Sequence, residues 1–312
     1  MKKGLMMLGI ATMMLASCTN EDVLNVSDSR AIGFNTFVGN TTKAIMTDDG
    51  FREFSVFGGY DGDLMNVFGE NKEGDNVGQS VTSTDGTTWT YSPTKYWTEG
   101  KQYTFQAYSP STANGEPSAT GVNINGFTAD GGTDLLVSNV VSMNGSSPSE
   151  ISLTFRHILS LIQFKFSTTI SGANVTINDL QVNALPNTGN YTNAGENGTW
   201  ATSGNANYSL TVANAVTTDA AQTSTYAMIL PQNPKDITVT FKVSASGSIE
   251  INNAEHTVKL PDLTLTEGNQ YTYTAEITAQ NIDPENPLEE IVFGDPTVKD
   301  WEEDTTGHPV VE

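Results

Sequence analysis

The sequence predicts an all-β protein made of two tandem antiparallel β-sandwich domains. Three observations lead there. Apolar and polar residues alternate with period two along several segments, clusters of Asp, Asn and Gly interrupt them at short intervals, and no long stretch carries a helical period. Composition supports a folded chain: 37% hydrophobic and 9% aromatic residues are too many for a disordered one, and the polar remainder is rich in Thr, Asn, Ser and Gly. With 312 residues the chain is long for one sandwich and comfortable for two.

At the amino terminus, Met1-Lys2-Lys3 is followed by an almost unbroken apolar run from Gly4 to Ala16. A membrane-spanning helix needs about 20 apolar residues. This run stops short and meets the polar, acidic Thr19-Asn20-Glu21-Asp22, which is the pattern of an export signal. Leu15-Ala16-Ser17-Cys18 resembles the lipobox of bacterial lipoproteins. The resemblance implies a signal peptide over residues 1–17, a lipid on Cys18 and attachment to a membrane through that lipid. Glu21-Asp22 resembles the export tag of surface-exposed lipoproteins, which implies the outer face of the cell outer membrane. Cys18 is the single cysteine, so the exported chain has no disulfide and is held by burial and hydrogen bonding.

Further along, Tyr103, Phe105 and Ala107 alternate with Thr104, Gln106 and Tyr108. Asn144-Gly145-Ser146-Ser147-Pro148-Ser149 reads as a linker and puts a domain junction near 150. The apolar run from Ile151 to Phe166 then changes phase. Ile151, Leu153, Phe155 and His157 share one parity, and Ile162, Phe164 and Phe166 share the other. A one-residue slip moves every side chain to the opposite face, so Ile158 to Leu161 should hold a bulge or a passage between two sheets. The clearest strand is Ile237, Val239, Phe241, Val243 and Ala245 against Thr238, Thr240, Lys242, Ser244 and Ser246, followed by Tyr271, Tyr273, Ala275 and Ile277. These readings divide the chain into sandwiches over 44–150 and 151–280, with a Pro-spaced acidic tail over 281–312.

The formal net charge is −22, a surface that repels phosphate backbones and excludes nucleic acid as a partner. His157, His256 and His308 are far apart and none stands at metal-ligand spacing from a second ligand. His157, on the apolar parity of its strand, reads as a hydrogen-bonded structural histidine. No nucleophile motif and no phosphate-cradling glycine loop is present, so neither an enzyme nor a cofactor site is expected. Trp89-Thr90-Tyr91 to Tyr96-Trp97 is the one aromatic concentration. It reads as core packing around a hairpin, with Trp89 and Trp97 as stacking platforms for a glycan in the alternative function, a permanently anchored glycan-binding lipoprotein.

Six segments stand in order along the chain: Ile32-Gly33-Phe34, Trp97 with Phe105-Gln106-Ala107-Tyr108-Ser109-Pro110, Asp134-Leu135-Leu136-Val137, Leu153-Thr154-Phe155-Arg156-His157-Ile158-Leu159-Ser160, Glu267-Gly268-Asn269-Gln270-Tyr271-Thr272-Tyr273 and Val298-Lys299-Asp300-Trp301. Together they resemble the fimbrillin family, the subunits and accessory lipoproteins of type V pili. The resemblance implies two transthyretin-like sandwiches and a structural, adhesive role beside other pilus subunits, with a host or glycan receptor as a further partner. It also implies assembly by strand donation: a trypsin-like protease removes a leading strand, and the vacated groove accepts a strand from another subunit's tail. On this sequence the lipidated leader is 18–43 and the leading strand carries Ile32, Phe34 and Val38. Cleavage after Arg30 would release only the lipid, whereas cleavage after Lys43 would remove lipid and strand together. The donor strand is Ile291 and Phe293 continuing to Val298, with the last strand of the chain's own domain as the competing reading of the same residues.

Overall fold

A computed structural model describes residues 30–38, 51–285 and 288–301. The described residues form strands and no helix, as the alternation predicts. In the first sheet, the leading strand Phe34–Val38 lies at one edge and is followed by Ile151–His157, Leu136–Ser138, Gln102–Ser109, Glu53–Tyr60, Gln79–Ser83 and Trp89–Thr90. Val141–Asn144 also pairs with Gln102–Ser109. The second sheet runs Gly198–Ser203, Thr188–Asn193, Gly121–Thr128, Asn114–Ser118. In the third, Gln222–Thr223 and Ala227–Ile229 both pair along one edge of Ser160–Thr168, whose other edge is followed by Asn269–Ile277 and Thr297–Asp300. The fourth is Ala206–Leu210, Ala173–Leu185, Thr238–Gly247, Ile251–Lys259.

The local patterns translate directly into burial. Thr238–Gly247 alternates half-buried and buried residues over its first eight positions, and Tyr271, Tyr273, Ala275 and Ile277 all face the core. The phase change after His157 is a passage between sheets. Ile151–His157 belongs to the first sheet and Ser160–Thr168 to the third, with Ile158 and Leu159 fully buried between them.

Pairing is not antiparallel throughout. The leading strand pairs in parallel with Ile151–His157, and Ser160–Thr168 pairs in parallel with Asn269–Ile277. Alternation reports which face is buried and not the direction of the neighbour, and a parallel neighbour reaches its place by a long connection that leaves no local signal. Both parallel pairs have one topology: an early strand lies beside a strand that comes more than a hundred residues later.

The hairpin Thr188–Asn193 with Gly198–Ser203 lies after residue 150 in sequence yet pairs with Gly121–Thr128. Three apolar clusters result. One lies within the first sheet around Phe54, Phe105 and Phe155, and one lies between the third and fourth sheets around Phe164, Phe166 and Phe241. The remaining cluster mixes Phe57, Tyr108 and Ile124 with Ile158, Tyr191 and Leu230. The segment 151–166 feeds all three, through Phe155, Ile158 and Phe164.

Candidate functional site: the leading-strand groove

Ile32, Phe34 and Val38 are 2%, 5% and 3% exposed. The alternation sends them inward and leaves Asn35 in solvent. Phe34 is the centre of the contact. Its ring meets Phe54, Phe68, Tyr91 and Phe105 edge to face, with centroids 5.8, 5.4, 5.7 and 6.3 Å away, an arrangement that adds quadrupole attraction to burial. Burying three such side chains contributes roughly 5–9 kcal/mol to holding the strand.

The backbone of this strand is held mainly from one side. Its parallel register runs from Phe34 opposite Ile151 to Val38 opposite Phe155. On the other side, Ala31 forms a single bridge to Tyr96. There Ile32 N–H donates to the Lys95 carbonyl and Trp97 N–H to the Arg30 carbonyl, both at 2.9 Å, and the Tyr91 hydroxyl donates to the Ile32 carbonyl at 2.6 Å. Beyond that bridge, Phe34–Val38 has no second ladder among the described residues. Its counterpart Ser160–Thr168 has neighbours on both sides. The leading strand is therefore an edge strand whose side chains complete a core.

Arg30 closes the amino-terminal end of the site. Its Nη2 donates to the carbonyls of Trp97 and Gly145, each at 3.0 Å, and Nε donates to the Trp97 carbonyl at 3.3 Å. Lys43 and Cys18 lie outside the described residues.

Part of the tail fills a core of its own chain. Ile291 and Phe293 are 5% and 4% exposed, and the Phe293 ring meets Phe164, Phe166, Phe241 and Tyr273. Residues 291–294 are outside any ladder, so the expected inserting pair fills the chain's own core. Val298 is different. It is 48% exposed in Thr297–Asp300, an edge strand with four exposed residues that pairs antiparallel with Asn269–Thr272. Trp301 then stacks on His157 at 4.2 Å with an interplanar angle of 9°, and His157 Nδ1 lies 2.6 Å from Asp134 Oδ2.

Within the aromatic concentration, Trp97 belongs to the core and Tyr96 is exposed. Trp97 is 4% exposed and meets Tyr103 and Phe105 edge to face. A ring so enclosed offers no face to a sugar. Trp89 is half-buried against Phe51 and Phe54. Among the described residues no cluster of His, Cys, Asp or Glu could hold a metal ion, and no helix is long and apolar enough to cross a membrane.

Of the four rings around Phe34, alternation marks only Phe105 directly. Phe54 lies in an apolar run, whereas Phe68 and Tyr91 stand outside the regular strands, where sequence carries no periodic signal. Arg30 was legible as a basic residue beside the strand. Its fork onto two carbonyls was not.

The fimbrillin-like family profile matches residues 42–301. The chain belongs to the fimbrillin-like family. Fimbrillin-like proteins are structural proteins and are not known as enzymes. The fimbrillin-like chain is similar in structure to a fimbrial protein of Bacteroides vulgatus, with a TM-score of 0.58 and 16% identity over 88% of this chain and 100% of the other. It is similar also to a candidate cell adhesion protein of Bacteroides ovatus, with a TM-score of 0.58 and 17% identity over 88% and 99%. Another such protein, from Bacteroides uniformis, gives 0.53 and 16% over 87% and 98%. At these identities the likeness establishes the fold. No curated protein matches the chain.

Proposed function

We propose that this fimbrillin-like chain is a cell-surface structural protein that assembles with other pilus subunits by exchange of strands, and that serves adhesion. It is made as a lipoprotein, lipidated on Cys18 and carried to the outer face of the outer membrane. Cleavage after Lys43 separates the leader from the body. Departure of the leading strand bares the edge of Ile151–His157 and the pocket of Phe54, Phe68 and Phe105, and a strand from a neighbouring subunit fills both. The observation that supports this reading is the state of Phe34–Val38: core-filling side chains on a strand with one full ladder.

On the donating side, the reading favours the segment from Thr297 onward. The side chains of Thr297–Asp300 are exposed and the strand's hydrogen bonds are those of one edge. Withdrawal of Ile291 and Phe293 would instead open the chain's own core. The glycan-binding reading has little to stand on with Trp97 enclosed.

The test is the amino terminus of the assembled form. SDS-resistant multimers that begin at Ala44 support strand exchange. A monomer that retains a lipidated Cys18 as its final form sinks it.

A further inference from the structure

Arg30 was expected to be one of two scissile positions, but its surroundings are those of a fastening. Its carbonyl oxygen accepts the Trp97 N–H at 2.9 Å. Its guanidinium reaches two carbonyls, of Trp97 and Gly145, that come from segments 67 and 115 residues away. The next residue, Ala31, is in the bridge to Tyr96, and the one after it, Ile32, is 2% exposed. A trypsin-like protease needs the basic side chain in its own acidic pocket, the carbonyl of that same basic residue in its oxyanion hole and an extended chain on both sides. Here the side chain, the carbonyl and the backbone that follows at Ala31 and Ile32 are all engaged within the fold.

We infer that Arg30 is a clamp for the leading strand: the Arg30–Ala31 bond is shielded in the folded chain, and the strand stays docked after the backbone is opened behind it. Cutting and departure are then separate events. The fork ties the beginning of the strand to the loops around Trp97 and Gly145, the parallel ladder holds its length, and Phe34 is seated among four rings. Scission beyond Val38 removes none of these contacts. A cut precursor is therefore a complete fold with a severed strand, and it becomes receptive only when a competing strand displaces the leader stepwise from its free end near Val38 toward Arg30. The biological use of the clamp rests on the strand-exchange reading. The clamp itself is a property of this chain alone.

The experiment uses the full chain and the Arg30→Lys and Arg30→Ala variants, each checked for folding by circular dichroism. Limited trypsin digestion is followed by mass spectrometry, with a synthetic peptide of residues 25–38 as the unstructured reference. The clamp predicts that Arg30–Ala31 in the folded chain is cut at least ~100-fold more slowly than in the peptide, because cleavage tracks the population of the opened state. Arg30→Lys keeps a tryptic residue without the planar fork, and its bond at position 30 should be cut about tenfold faster than the wild-type bond.

After the chain is opened between Val38 and Phe51, the leader fragment should co-elute with the body in gel filtration. It should leave Arg30→Ala about tenfold faster than the wild type. A new terminus at Ala31 that forms in the folded chain as fast as in the peptide overturns the inference. So do equal release rates for wild type and Arg30→Ala. Retained, clamped leaders in a protein that never multimerises would sink strand exchange and leave the clamp standing.

Discussion

Arg156 Nη1 lies 2.9 Å from Glu267 Oε1, across 111 residues of chain. Arg156 belongs to Ile151–His157 of the first sheet, and Glu267 stands just before Asn269–Ile277 of the third. Arg156 Nη2 also donates to the Tyr191 hydroxyl at 2.7 Å, and the Gly198 N–H donates to Glu267 Oε1 at 3.1 Å. Tyr191 and Gly198 are both in the second sheet. One charged cluster therefore fastens three sheets, with the Arg156 and Glu267 side chains 19% and 12% exposed.

Burial pushes the Glu267 carboxyl above its ordinary range, against the pull of Arg156. The folded state then holds the proton more tightly than the unfolded chain. The contribution of this group to stability is full below ~4.3, the usual glutamate value, and is lost as pH rises through the raised folded value. Urea denaturation at several pH values should show Glu267→Gln gaining on the wild type as pH rises through that range. Arg156→Met leaves the carboxylate buried without its cation and should cost about 3 kcal/mol at neutral pH, with a smaller loss in acid.

Phe34→Ala should destabilise the region around the first sheet by about 3–5 kcal/mol, since the ring is 5% exposed and its loss leaves a cavity among four aromatic rings. Asn35→Ala, on the solvent side of the same strand, should change stability by less than about 0.5 kcal/mol. Equal effects in chemical denaturation would mean that the strand does not fill the core.

Phe293→Ala should cost about 3–5 kcal/mol by opening a space between Phe164, Phe166, Phe241 and Tyr273. Val298→Ala, at 48% exposure, should cost less than about 1 kcal/mol. If the tail acts as a donor from Thr297 onward, Val298→Asp should reduce multimer formation while leaving the thermal unfolding of the monomer in place.

Trp97→Ala should act on folding. The ring is enclosed between Tyr103 and Phe105, and its removal should cost about 3–5 kcal/mol. Tyr96, which is 49% exposed, is the control and should tolerate alanine. Glycan-array binding that vanished in a fully folded Trp97→Ala protein would contradict this placement.

The leading strand shows how far sequence reasoning reaches. Its inward parity at Ile32, Phe34 and Val38 was legible because alternation is local, and the buried faces of Thr238–Gly247 and Asn269–Ile277 were legible for the same reason. The passage between sheets near Ile158 was legible as a change of phase. Arg30 and Phe293 were legible only as residue types, a basic side chain and an apolar pulse.

The sequence by itself determined which side of each strand is core, where the chain changes sheet, and that this acidic, cysteine-poor chain is a β protein without catalytic or metal-binding motifs. Tertiary structure alone decided which strands are neighbours. It put Phe34–Val38 in parallel beside Ile151–His157, tied Arg30 to Trp97 and Gly145, seated Phe293 in its own core and brought Arg156 to Glu267. Each of those relationships joins residues far apart in the chain. Alternation carries one choice per residue, inward or outward, whereas the identity of a strand's neighbour is settled by the joint packing of all the sheets.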